Sequence, residues 1–91
     1  MDPGSTLVEQ FDLALANMAA TLAAAGATPE HLVSVTVFAT DAEQYRKDLK
    51  ELGTVWRRRL GKHYPAMAFF EVKGLFDPAA VVELTGVAVV P

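Results

Sequence analysis

The sequence predicts an α+β domain whose segments run helix, strand, helix, strand, strand. Three observations carry that prediction. Two stretches repeat apolar residues at steps of three and four, three short runs are rich in β-branched and aromatic types, and Gly or Pro separates them. Ninety-one residues make one domain, residues 1–91, because a single core stops growing only well above this length.

The first helix is expected over residues 6–25. Thr6 and Glu9 stand at the spacing of a capping box, in which hydroxyl and carboxylate each satisfy a free backbone N–H. Leu7, Phe11, Leu15, Met18 and Leu22 form one stripe, and Gly26 suits the left-handed residue that follows a helix end. The Ala-rich flank allows close approach by a sheet.

Thr28-Pro29-Glu30 turns the chain into LVSVTVFA, residues 32–39. Alternation places Val33, Val35, Val37 and Ala39 on one face and Leu32, Ser34, Thr36 and Phe38 on the other. Both faces are largely apolar, so this strand is expected to be central and covered on both sides. Helices cover one side, and something else must cover the other.

Asp41 and Gln44 resemble a second capping box opening a helix over 42–60. Tyr45, Leu49, Leu52, Trp56 and Leu60 make its stripe. Gly53 lies inside and costs about 1 kcal/mol relative to Ala, which points to close packing there. After Gly61 and Tyr64-Pro65, a strand is expected over 66–72. A longer one is expected over 81–90, with Gly86 as a bulge or close contact.

Composition sets the surroundings. Apolar residues reach 52% before the six Gly are added, above the roughly 45–50% that soluble domains show with Gly counted. So small a chain has too little interior for that surplus. Three strands with two helices also leave poorly protected edges. Both features predict a homo-oligomer.

The absence of Cys excludes disulfide scaffolds and thiol chemistry. No apolar run is long enough to span a membrane. The opening Met-Asp-Pro-Gly lacks a signal-peptide layout, so a cytoplasmic location is expected. Residues 1–45 hold six acids and no Lys or Arg, whereas residues 46–62 hold seven bases against two acids. A basic helix invites a nucleic-acid reading, but a solvated face paired with acidic neighbours fits better at a net charge of −3. Nucleic acid is therefore not expected as a partner.

Catalytic signatures are sparse. The sequence has no glycine-rich phosphate loop, G-x-S-x-G or H-E-x-x-H. His31 and His63 sit beside strand starts and read as surface or capping residues, with no metal site. Glu71 and Glu83 lie on expected strands, where a carboxylate among apolar residues moves protons only if it faces inward. The more frequent arrangement faces solvent. Trp56 and Tyr64 are candidates to stack a planar ligand, with Trp56 better placed in the core.

EQFDLALANMAATLAAAGATPEHLVSVTVFATDAEQY resembles the RidA/YjgF family, the reactive intermediate deaminases also called L-PSP endoribonucleases. The resemblance rests on Gln10, Asn17, Ala24-Ala25-Gly26-Ala27, Val33 through Phe38 and Asp41. Pro65-Ala66, Phe70-Glu71-Val72, Leu75 and the final V-E-L-x-x-V-A-V strand extend it over residues 9–91. It implies a chorismate-mutase-like layer of two helices on a mixed sheet, a homotrimer, and small-molecule pockets between subunits. It also implies hydrolysis of reactive enamines or imines with water and no cofactor.

The chain departs from the family pattern at several places. Met67 stands where deaminases of the family hold a carboxylate-binding Arg, a clamp worth about 1.5–3 kcal/mol. Thr85 replaces the second Glu of E-I-E-A, and a hydroxyl is a poor base near neutral pH. Gly53 aligns with a helix Asn, and the family's N-terminal β-hairpin is missing. The expected function is ligand binding by a divergent homo-oligomer, with the pocket near Met67, Phe69, Thr85, Gly53, Tyr64 and Glu83. An imine or enamine hydrolase of altered specificity, with Thr85 or Glu83 ordering water, is the alternative. RNA binding through Arg57-Arg58-Arg59 ranks below both.

Overall fold

The structure is a computed structural model and describes residues 4–91. The signal-peptide reading of the first residues lies outside that range. Helix α1 spans Leu7–Ala24. Its capping box is complete: Thr6 Oγ1 accepts from the Glu9 N–H at 3.2 Å, and the Thr6 N–H donates to Glu9 Oε1 at 2.9 Å. Gly26 follows with φ +75° and ends the helix as its sequence position implies.

A turn at Pro29–His31 leads into strand β1, Leu32–Ala39. Helices α2 (Ala42–Lys47) and α3 (Leu49–Leu60) follow, then strands β2 (Ala66–Glu71) and β3 (Val82–Ala88). The sheet order is β2-β1-β3, with β1 parallel to β2 and antiparallel to β3. The α+β class, the order of segments, the mixed sheet and the central place of β1 all match the sequence reading.

The expected helix over 42–60 is divided at Asp48. Asp41 caps α2 through the Gln44 N–H at 3.0 Å, but the Gln44 amide turns forward to Asp48 Oδ2 at 3.0 Å instead of closing the box. The break changes the phase of the stripe. Leu52, Val55, Trp56 and Leu60 are buried, whereas Leu49 is exposed.

A second departure lies at the start of β1. An irregularity between Leu32 and Ser34 inserts one residue into its pairing with β3. Leu32 therefore joins the core at 3% exposure, and Val33 is turned out at 49%, the reverse of the alternation read from sequence. The bulge is thus on β1. Gly86, opposite Val35, is the close contact: a Cβ there would stand 3.2 Å from Leu32 Cδ2 and Met18 Cε. Both later strands are shorter than expected, ending at Glu71 and Ala88.

One core joins α1, α3 and one face of the sheet, built on Phe11, Leu15, Val35, Val37, Leu52 and Trp56. The opposite face carries Phe38, Phe70, Thr85 and Val87, all partly or fully exposed. No described element of this chain covers it.

Candidate functional site

Strand pairing decides which candidate residues can meet. Residues paired across neighbouring strands share a face, so Val35, Val37 and Ala39 carry Met67, Phe69 and Glu71 with them on the helix-bearing side. The Phe69 ring lies 4.7 Å from that of Tyr45 in α2, in agreement with this face. Burial pushes the Tyr45 phenol above its ordinary pKa. Thr36 pairs with Thr85 and Phe38 with Glu83, which places Thr85 and Glu83 on the open face. Met67 and Thr85 are therefore on opposite faces, with β1 between their strands. One copy of the chain does not bring them together.

Met67 and Phe69 stay 46% and 38% exposed because β2 is an edge strand. Glu71 Oε2 accepts the Ala42 N–H at 2.7 Å and so holds the start of α2. Tyr64 stacks on Trp56 with ring centroids 6.0 Å apart and planes 15° apart. Trp56 is buried and its indole N–H donates to the His63 carbonyl at 3.1 Å, so only Tyr64 offers a ring face to solvent. Gly53 does not mark the close packing expected of it. A Cβ there would meet only the Arg57 guanidinium, at an ordinary 3.6 Å.

The basic run has a structural use. Arg59 Nε donates to Asp12 Oδ1 at 2.6 Å, and Arg58 reaches Asp12 Oδ2 at 3.2 Å, joining α3 to α1. The hydrogen bond from Arg59 holds the Asp12 carboxyl below its ordinary pKa. Both histidines also have local partners. His31 Nδ1 accepts the Thr28 N–H at 3.0 Å, and His63 Nε2 donates to the Leu32 carbonyl at 2.9 Å. Among the described residues no three His, Cys, Asp or Glu gather where a metal ion would bind. No described helix is long and apolar enough to cross a membrane.

A further hollow lies elsewhere, between α1 and the outer edge of β3. It is a groove of 570 Å³ lined by Leu13, Asn17, Met18, Phe76, Leu84 and Gly86 among others. Of the expected site residues it includes only Glu83. Sequence reasoning missed Leu13 and Phe76. Their signal was large apolar residues outside every stripe, at 50% exposure for Leu13 and full exposure for Phe76.

The comparisons with known proteins agree with this fold. A member of the YjgF/YER057c/UK114 family from Mycobacterium tuberculosis is 31% identical with a TM-score of 0.81, over 96% of this chain and 70% of that one. RidA from the Antarctic bacterium Psychrobacter sp. is 27% identical with a TM-score of 0.79, over 94% of this chain and 66% of that one. The Rid-family protein YyfA from Yersinia pestis is 27% identical with a TM-score of 0.77, over 93% of this chain and 64% of that one. The chain thus spans about two thirds of the length of these solved relatives. Among curated protein sequences none matches. The sequence pattern of the endoribonuclease L-PSP family matches residues 2–90. With the mixed three-stranded sheet and its helix layer, that match places the chain in the RidA/YjgF family, also called the endoribonuclease L-PSP family.

Proposed function

We propose that this chain works in the cytoplasm as a self-associating, small-molecule-binding member of its family, with the ligand held at the seam between copies. No cofactor takes part, and the usual enamine or imine deamination is lost. The observation that carries this reading is the half-exposed thioether of Met67 on the edge strand, at the place of the family's guanidinium. A thioether neither donates hydrogen bonds nor carries charge, so it lacks the paired donors that grip and orient a carboxylate. Thr85 adds to this, because its hydroxyl does not take a proton from water near pH 7. Self-association is supported by the apolar sheet face that no described element covers and by the two strand edges that pair with no other strand among the described residues.

The test is ammonia release from 2-aminoacrylate generated in situ. The expected rate equals the buffer rate, and an acceleration by the purified chain overturns the loss of deamination.

A second reading has its own observation. Thr85 is paired with Thr36 on the open face, and Glu83 follows two residues away on the same face. Two hydroxyls beside a carboxylate are able to order a water molecule for attack on an uncharged imine or enamine. If a substrate of that class is turned over, replacing Thr85 by Val is expected to slow turnover at least tenfold. Full turnover in that variant removes the second reading.

A further inference from the structure

We propose that Tyr45 selects the ligand, its phenol O–H donating to the carbonyl of a flat, uncharged ring amide that lies along Met67 and Phe69 of β2. The proposal rests on the ligand site read above at Met67 and names the chemistry which that site accepts.

Helix α2 and strand β2 mesh residue by residue. Ala42 and Tyr45 stand three positions apart on one face of α2, and Phe69 and Glu71 stand two apart on one face of β2. Glu71 Oε2 accepts the Ala42 N–H at 2.7 Å, and the Tyr45 ring lies 4.7 Å from that of Phe69 at 47°. The same ring meets Phe11 of α1 edge-on, with centroids 6.2 Å apart. Contacts from two elements therefore fix the Tyr45 ring beside β2.

The hydroxyl on that ring is left over. A buried Tyr O–H ordinarily finds a hydrogen-bond partner. Tyr45 is half-buried, yet its O–H bonds to no group among the described residues, and its oxygen is not sealed from solvent. Burial holds the phenol above its ordinary pKa, so near neutral pH it keeps its proton and stays a donor. The second oxygen of Glu71 takes no hydrogen bond among the described residues either.

These groups define a ligand by complement. Met67 and Phe69 are both partly exposed and stand about 6.6 Å apart along the strand, the span of one substituted six-membered ring. A thioether and an aromatic face pack well against a planar π-system. The polar rim then offers one donor, the phenol, and one acceptor, the carboxylate. A carboxamide matches both through its C=O and its N–H. A carboxylate ligand fits badly, because its charge meets that of Glu71 and finds no guanidinium at position 67. Among Ala42, Tyr45, Met67, Phe69 and Glu71, only Glu71 is charged.

The test uses the whole chain with isotope-labelled methionine methyl groups and three probes: benzamide, benzoate and toluene. Met67 lies at the proposed site and Met18 in the groove under α1, so their methyl signals in NMR tell the two places apart. Benzamide is expected to shift the Met67 methyl and to bind at least threefold more tightly than benzoate. Tyr45→Phe keeps the ring contacts and removes only the hydroxyl. It is expected to weaken benzamide at least fivefold and to leave toluene, which has no acceptor, unchanged.

A purely structural role for Tyr45 would weaken both probes together. That result, or a benzamide affinity equal in parent and variant, overturns the proposal and leaves the site at Met67 standing. A Met67 methyl that benzamide leaves unmoved also overturns it, whether or not Met18 responds. Equal affinities for benzamide and benzoate overturn the selection against charge. A parent chain that prefers benzoate overturns the reading of the site itself.

Discussion

Gln10 and Val81 are joined by a hydrogen bond of 2.8 Å from the Val81 N–H to Gln10 Oε1. The same amide donates through Nε2 to the Ala79 carbonyl at 3.0 Å, and the side chain is only 1% exposed. Thr40 N–H holds the Val81 carbonyl from the other side at 3.1 Å. The first turns of α1, the end of β1 and the approach to β3 are therefore tied at one residue. The approach to β3 is also one side of the groove.

Gln10→Leu keeps the volume and removes these two hydrogen bonds together with a third, from Nε2 to the Ser5 carbonyl at 3.3 Å. Loss of a partner by a buried backbone group costs about 1–3 kcal/mol. For a domain of this size each kcal/mol moves Tm by about 4–8 °C. Thermal unfolding is expected to show a fall of at least several degrees. A Tm within about 1 °C of the parent would mean that water replaces the amide at no cost.

Gly53 and Gly86 are expected to respond in opposite directions. Gly53 has helical backbone and an open Cβ position, so Gly53→Ala is expected to stabilise by about 0.5–1 kcal/mol through the unfolded chain. Gly86 faces Leu32 and Met18 at 3.2 Å. Gly86→Val is expected to destabilise by about 1–3 kcal/mol because those side chains must leave their packing. Denaturant midpoints of the two variants check the sign of each change.

Acid titration tests the tie between the helices. Arg59 holds the Asp12 carboxyl below its ordinary value of 3.8. A carboxyl whose pKa is depressed by folding contributes stability above the unfolded value and loses it as pH falls through the folded one. Asp12→Asn is therefore expected to lower stability at pH 7, by less than about fivefold in the folding equilibrium for so exposed a pair. Below pH 3 the difference from the parent is expected to shrink. A gap that stays constant from pH 7 to pH 2 would show that Asp12 acts by packing and not by charge.

The fold was legible because its signals are local. The Thr6–Glu9 box, Gly26 after the alanine run and the β-branched 32–39 segment each act within a few residues. The errors came where a distant partner decided the outcome. The break at Asp48 interrupts an apolar stripe that runs on through it, and no spacing in the sequence marks it. The exchange of Leu32 and Val33 comes from a bulge that exists only in the pairing with β3. Candidate residues read along the chain carried no information on sheet face. The parity of pairing with β1 puts Met67 and Thr85 on opposite sides. The groove was invisible for the same reason, since α1 and β3 are far apart in sequence and Leu13 and Phe76 belong to no periodic pattern.

Position 67 is where the ligand chemistry is most directly tested. If the seam has lost its grip on carboxylates because a thioether replaces a guanidinium, then the parent chain is expected to bind butanoate no better than its neutral counterpart butanamide. Met67→Arg restores charge-assisted donors worth about 1.5–3 kcal/mol. One factor of ten corresponds to about 1.4 kcal/mol, so that variant is expected to shift the preference toward butanoate by about ten- to a hundredfold. Ligand-induced NMR shifts of the associated protein measure both affinities. A parent chain that already prefers butanoate tenfold would show that another cation, from this copy or its neighbour, has taken over the clamp. The residue at 67 would then say nothing about the ligand's charge.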